Sequence, residues 1–240
     1  MIYFSEIALL NKQEVEFMDA IQTILERYST RSFKPDPVPK ETIMKILEAA
    51  LHSPSSGNSQ PWEIFVAGGE VADNIRKAFL ERFNRDAPNL PEMAGVPVSQ
   101  WPPAMRERMN IITSERQRLL GINPQDKAAM KAYREFNGGL FKSPVMVILC
   151  MDRALAVWTA FDFGILSQSI MLAATHYGVD SIVAGAFSNY PDILRKQLEI
   201  PDNLKIVIGI GLGYHDPGHI INSYRSPRRP LNEVVTFKGI

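Results

Sequence analysis

The chain has 240 residues, enough for one large domain or two small ones around a substantial core. Its 45% hydrophobic and 22% charged residues are ordinary for a globular protein, and 26 basic against 26 acidic side chains argue against nucleic acid or an anionic membrane as partner. One cysteine, Cys150 in the apolar run VMVILCM, leaves no disulfide framework and points to a reducing cytoplasm.

Residues 1–17 carry acidic side chains and no basic stretch, so they do not read as a secretory signal. Ile21, Ile24 and Leu25 then fall at helical spacing, with Asp19 suited to a first turn, which predicts a helix over 18–28. A proline-broken loop, FKPDPVPK, leads into a second helix over 41–52, carried by Ile43, Ile46, Leu47 and Ala50. The polar stretch HSPSSGNSQPW (52–62) precedes a strand near 62–67 and a helix from Glu70 to Arg85. It holds far more hydrogen-bonding groups than a plain connector needs. Residues 86–135 are proline-rich with polar-faced helices, an insertion that suits either a mobile lid or a decorative surface addition.

The runs SPVMVILCM (143–151) and LKIVIGIGLGY (204–214) read as strands covered on both faces. Between them, residues 154–178 are long and apolar enough to cross a bilayer. Asp162, Gln168 and His176 make insertion costly, so a fully buried helix of a soluble protein is predicted. The short strand DSIVAGAF and the amphipathic helix YPDILRKQLEI follow. Strands and helices alternate, giving an α/β or α+β sheet flanked by helices. The tail NSYRSPRRPLNEVVTFKGI is polar and proline-broken, and an arm laid over a neighbouring subunit would satisfy it.

Known fingerprints fail. In GIGLGYHDPG the residues after the glycines are Asp216-Pro217-Gly218, not the helix start that a dinucleotide turn needs, so a tightly packed strand is the better reading. There is no Walker loop and no nucleophile elbow. His215 and His219 flank Pro217-Gly218, which prevents a helical metal-binding pair, and no metal site is expected. In ERYSTRSF, by contrast, Arg27, Ser29 and Arg31 alternate, and in an extended segment they share a face. Paired guanidinium donors suit a phosphate, and Arg225, Arg228 and Arg229 offer a matching group in the tail. If the fold joins the two ends, the hydroxyls and carboxamides of the 52–62 loop suit the ribityl chain and heterocycle of a flavin mononucleotide.

RYSTRSF, AALHSPSSGNSQPWEIFV, GAF and RRPLNEVV together resemble, in order and spacing, the FMN-dependent nitroreductase family, over residues 18–240. The long insertion is similar to that of a subgroup with an extended lid, and residues 1–17 precede the family's usual start. The resemblance implies a single α+β domain with a central mixed sheet flanked by helices, in an intertwined homodimer with FMN at the interface. It implies that Arg27 and Arg228 grip the FMN phosphate beside Tyr28 and Ser29. Arg31, often lysine in the family, would lie at the N1/O2 edge of the ring. Pro54, Ser55, Ser56 and Asn58 would reach the flavin of the other subunit, braced by Gln60. Ala184 and Gly185 would lie at flavin N5, where many relatives carry an acidic neighbour and this chain has small residues.

Trp101, Phe136 and Phe141 are candidates to line the pocket. The implied activity is NADH- or NADPH-dependent transfer of hydride, by way of flavin N5, to nitroaromatic or quinone acceptors in ping-pong fashion. No protein side chain is an obligatory catalyst in that scheme. Alternatives on the same fold are reductive dehalogenation, flavin fragmentation, enone reduction or a non-catalytic redox sensor.

Overall fold

A computed structural model describes residues 19–93 and 95–240, so the extension 1–17 lies outside the described residues. Seven helices and four strands are formed there: α1 (Ala20–Glu26), α2 (Lys40–Ala50), β1 (Glu63–Gly68), α3 (Gly69–Asn84), α4 (Pro103–Leu119), α5 (Lys127–Gly138), β2 (Val145–Asp152), α6 (Ala160–His176), β3 (Asp180–Ala184), α7 (Pro191–Leu198) and β4 (Leu204–Gly213). Local chemistry accounts for several boundaries. The Asp19 carboxylate caps α1 by accepting from Gln22 N at 2.7 Å, and prolines begin α4 and α7, where a missing N–H costs nothing.

The strands form one sheet in the order β1-β2-β4-β3, antiparallel at each named pairing. The mixed sheet of the expectation is thus antiparallel among its named strands, and among the described residues parallel pairing is confined to the isolated bridge between Ser29 and Ser181. Strand direction was hidden by burial. Met146, Ile148 and Cys150 enter one core with Phe79, Phe187 and Leu194, beneath α3 and α7. Val145, Val147, Leu149 and Met151 enter a second core with Ile46, Phe163 and Ile170, beneath α2 and α6. A strand sandwiched this way is apolar at every position, whichever way its neighbours run.

The glycines of β4 exist for packing. A Cβ at Gly211 would lie 2.8 Å from the Phe187 ring, and one at Gly213 would lie 2.6 Å from Pro144. This bears out the tightly packed strand read from GIGLGY.

Helix α6 departs from expectation. Phe163, Leu166, Ile170 and Ala174 are buried, but only 39% of its most apolar window is covered within the chain. Val157, Trp158 and Phe161 lie exposed at its start. Apolar composition here serves two faces, and one chain covers one of them.

The insertion is anchored at its beginning. The Glu92 carboxylate accepts from Arg195 Nη2 at 2.9 Å, from Ile206 N at 2.7 Å, and from Arg153. Burial would raise the Glu92 pKa, yet the backbone donor and the two guanidiniums outweigh it and hold the carboxyl below its usual range.

Candidate flavin-phosphate site

Residues 29–34 run across one end of the sheet. Thr30 N donates to Ser181 O at 3.0 Å, Lys34 N donates to Tyr214 O at 2.8 Å, and Phe33 bridges His215. Thr30 and Ser32 are buried, whereas Arg27, Ser29 and Arg31 are half-buried, so the predicted alternation puts the three polar side chains on the outer face.

Asn222, in the tail, fixes this segment. Its Oδ1 accepts from Arg31 N at 2.9 Å and Ser32 N at 3.2 Å. Its Nδ2 donates to Ser32 O at 2.8 Å and Asp216 O at 3.0 Å. One buried carboxamide therefore ties residues 31–32 to a chain segment 190 positions away. Sequence reasoning missed Asn222; the only hint was that its tail had to find contacts elsewhere.

The two ends of the polypeptide meet. Burial first, and the Arg228 charge second, lower the Arg27 pKa. The Arg225 guanidinium lies 3.5 Å from the centre of the Tyr28 ring. Arg31 is brought down to about 10, chiefly by burial and then by Arg116, with Arg27 adding to the effect and the Tyr133 and Tyr224 phenols opposing it. Its Nη1 donates to Ser29 O at 2.9 Å. Arg116, on α4, was not anticipated. It lies over the Tyr224 ring at 5.2 Å, and its buried Nε donor has no acceptor among the described residues.

Arg27 thus neighbours Arg228 and Arg31, Arg31 neighbours Arg116, and none of the four makes an ion pair among the described residues. Like charges held together, with a buried donor left open, are what an anion with several acceptor oxygens would satisfy. A phosphate joined to a flat heterocycle with an acceptor edge fits this donor set.

The loop after α2 is held in an unusual shape. Gly57, Asn58 and Gln60 are left-handed, at φ 57°, 55° and 46°. Ser55 Oγ accepts from Gln60 N at 2.9 Å, and Ser53 Oγ donates to Ala50 O and meets Ser169 Oγ, each at 2.7 Å. Pro54, Ser56, Asn58 and Gln60 are exposed, and Ser55 is half-buried. No hydrogen bond joins this loop to the arginine group of its own chain among the described residues. Its nearest anchor is α6, where Asp162 faces Ser56 N.

Ala184 ends β3 opposite Gly209, and the exposed Gly185 begins a short 3-10 turn with open space above its Cα. The aromatic candidates divide. Phe136 stacks on His219 at 5.1 Å, and the exposed Trp101 donates its indole N–H to Val96 O at 3.0 Å. Phe141 is corrected: it is a core residue packed near Phe187, because the turn over 140–142 rotates its ring inward.

With this geometry established, comparison with known proteins is informative. The profile described as the nitroreductase family matches residues 24–214. A chloronitrobenzene nitroreductase of Comamonas testosteroni is 32% identical over 89% of this chain and 94% of its own length. A nitrobenzene nitroreductase of Ectopseudomonas oleovorans is 33% identical over 89% and 94%. The crystal structure of the FMN-dependent nitroreductase NfnB from Mycobacterium smegmatis, in complex with NADPH, superposes with a TM-score of 0.85 at 29% identity, covering 91% of this chain and 97% of that one. The profile, the relatives and the fold agree: the chain belongs to the nitroreductase family.

Proposed function

We propose that the protein is an FMN-dependent NAD(P)H oxidoreductase that reduces nitroaromatic and quinone-like acceptors, working as a cytoplasmic homodimer. The observation that carries this reading is the meeting of Arg27 and Arg228, from opposite ends of the chain, in a cationic group without an ion pair. When bound, FMN supplies the centre that takes hydride from the nicotinamide and gives it to the acceptor. The protein's part is binding, orientation and electrostatics.

Arg27 and Arg228 hold the phosphate, with Tyr28 and Ser29 beside them. Arg31 and Arg116 place positive charge at the pyrimidine edge, where negative charge accumulates on reduction. Ala184 and Gly185 leave room at N5 for the incoming substrate, with a backbone N–H as the only polar group required. The loop carrying Pro54, Ser55, Ser56 and Asn58, stiffened by Gln60, completes the site from the partner chain. Its left-handed residues, exposed on a single chain, support that role. The insertion at about 86–135, held at Glu92, covers the site as a lid and brings Arg116 to it.

Because donor and acceptor share one place in turn, initial rates at varied NAD(P)H and acceptor should give parallel double-reciprocal lines. The first test is simpler: the purified protein should be yellow, and anaerobic NADPH should bleach it. Turnover on a panel of nitroaromatics, quinones, halophenols and enones then ranks the acceptors. Oxidised flavin that persists under NADH and NADPH would overturn the enzymatic reading.

A further inference from the structure

A groove of about 600 Å³ lies between α4 and the C-terminal tail, outside the residues assigned above except at Arg228. Ile111, Ile112 and Pro230 form its apolar part, and Arg108, Arg228 and Arg229 bring three guanidiniums to it. No carboxylate lines it. Arg229 is ion-paired with Glu233, its Nε donating to Oε2 at 3.2 Å and its Nη2 to Glu233 O at 2.6 Å, whereas Arg228 Nη1 donates to Ser226 O at 2.8 Å, so Arg108 and Arg228 are the two guanidiniums of the groove without a carboxylate among the described residues. Arg108 is half-buried and makes no ion pair among the described residues. It precedes Arg116 on α4 by roughly 12 Å along the helix axis, at about 1.5 Å per residue. One helix therefore connects the cationic group at Arg31 with this groove, a separation within the length of an extended dinucleotide.

We infer that this groove takes the adenosine 2′-phosphate end of NADPH and makes Arg108 a determinant of NADPH over NADH. An apolar floor suits a flat purine, and clustered guanidiniums suit a dianionic phosphate. The inference rests on the flavin reading above but turns on Arg108, which that reading does not use.

The test uses the FMN-loaded full chain, titrated calorimetrically with adenosine 2′,5′-bisphosphate and with 5′-AMP. The bisphosphate should bind at least about tenfold tighter, as expected for a charge-assisted phosphate contact. Arg108→Ala should remove that difference, and Arg108→Lys should restore part of it. In turnover, R108A should raise the KM for NADPH about tenfold while leaving the KM for NADH within about twofold and the FMN content unchanged. Equal affinity of the wild type for the two probes overturns the inference without any variant. So does a parallel rise in both KM values in R108A. A wild type that binds no FMN overturns the flavin reading along with it, whereas an FMN-loaded protein that ignores the 2′-phosphate overturns this inference alone.

Discussion

Arg31 and Asn222 show how a single residue bears on the chemistry. The Arg31 guanidinium is already destabilised as a cation, by burial and by Arg116. For a base whose folded pKa is depressed to about 10, folding disfavours the charged form throughout neutral pH, so any bound anion relieves that cost. FMN should therefore raise the melting temperature, and Arg27→Ala or Arg228→Ala should weaken FMN binding by about 10- to 100-fold in fluorescence titration, the loss of one charge-assisted contact. Arg31→Ala should slow flavin reduction by NAD(P)H by about 10- to 1000-fold in stopped flow, and an unchanged rate would remove Arg31 from its assigned role. Asn222→Ala leaves the N–H groups of residues 31 and 32 without an acceptor, whereas Ser32 O and Asp216 O keep Asp216 N and His219 N as donors. At about 1–3 kcal/mol for each unsatisfied group, denaturant unfolding should show a loss of at least about 2 kcal/mol.

The elements were legible to within a few residues because their periodicity is strong. Ile46 and Ala50 are buried along α2 as the 3.6-residue spacing required, and β2 and β4 were marked by unbroken apolar runs. What stayed illegible depends on contacts distant in sequence. Antiparallel direction cannot be read from a strand that is apolar on both faces. Glu92 sits in PNLPEM with no local pattern, and its partners Arg195 and Ile206 come more than 100 residues later. Arg31 was legible because its neighbours Arg27 and Ser29 repeat at short spacing, whereas Arg116, in an ordinary polar helix, was not.

The insertion's anchor carries a pH signature. Glu92 has a folded pKa below its ordinary 4.5, so the stability it contributes is present above that value and is lost as pH falls through the folded value. Glu92→Gln should cost about 1.5–3 kcal/mol at neutral pH and flatten the acid limb of the stability profile. An acid limb as steep in Glu92→Gln as in the wild type would contradict this.

Taken as a whole, one chain leaves too much apolar surface uncovered. Ile21 and Leu25 on α1 are 66% and 78% exposed, and Trp158, stacked on Phe161, is 76% exposed. Contiguous patches of this kind belong at interfaces. The proposed homodimer would bury them and bring the exposed 54–60 loop to a second chain. Light scattering should accordingly give twice the 27.0 kDa chain mass. Trp158→Glu should yield monomers that lose FMN together with the dimer, because the site would be completed across the contact.

The lone thiol of the molecule has a use that its chemistry does not advertise. Cys150 lies wholly inside the central strand β2, and burial pushes its pKa up to about 12, so the native state offers neither access nor thiolate to an alkylating reagent. Labelling at neutral pH must wait for the sheet itself to come apart. The rate of modification by iodoacetamide is thus a built-in clock for global opening, needing no introduced probe. Following it with and without FMN would measure how far the cofactor slows the exposure of the core.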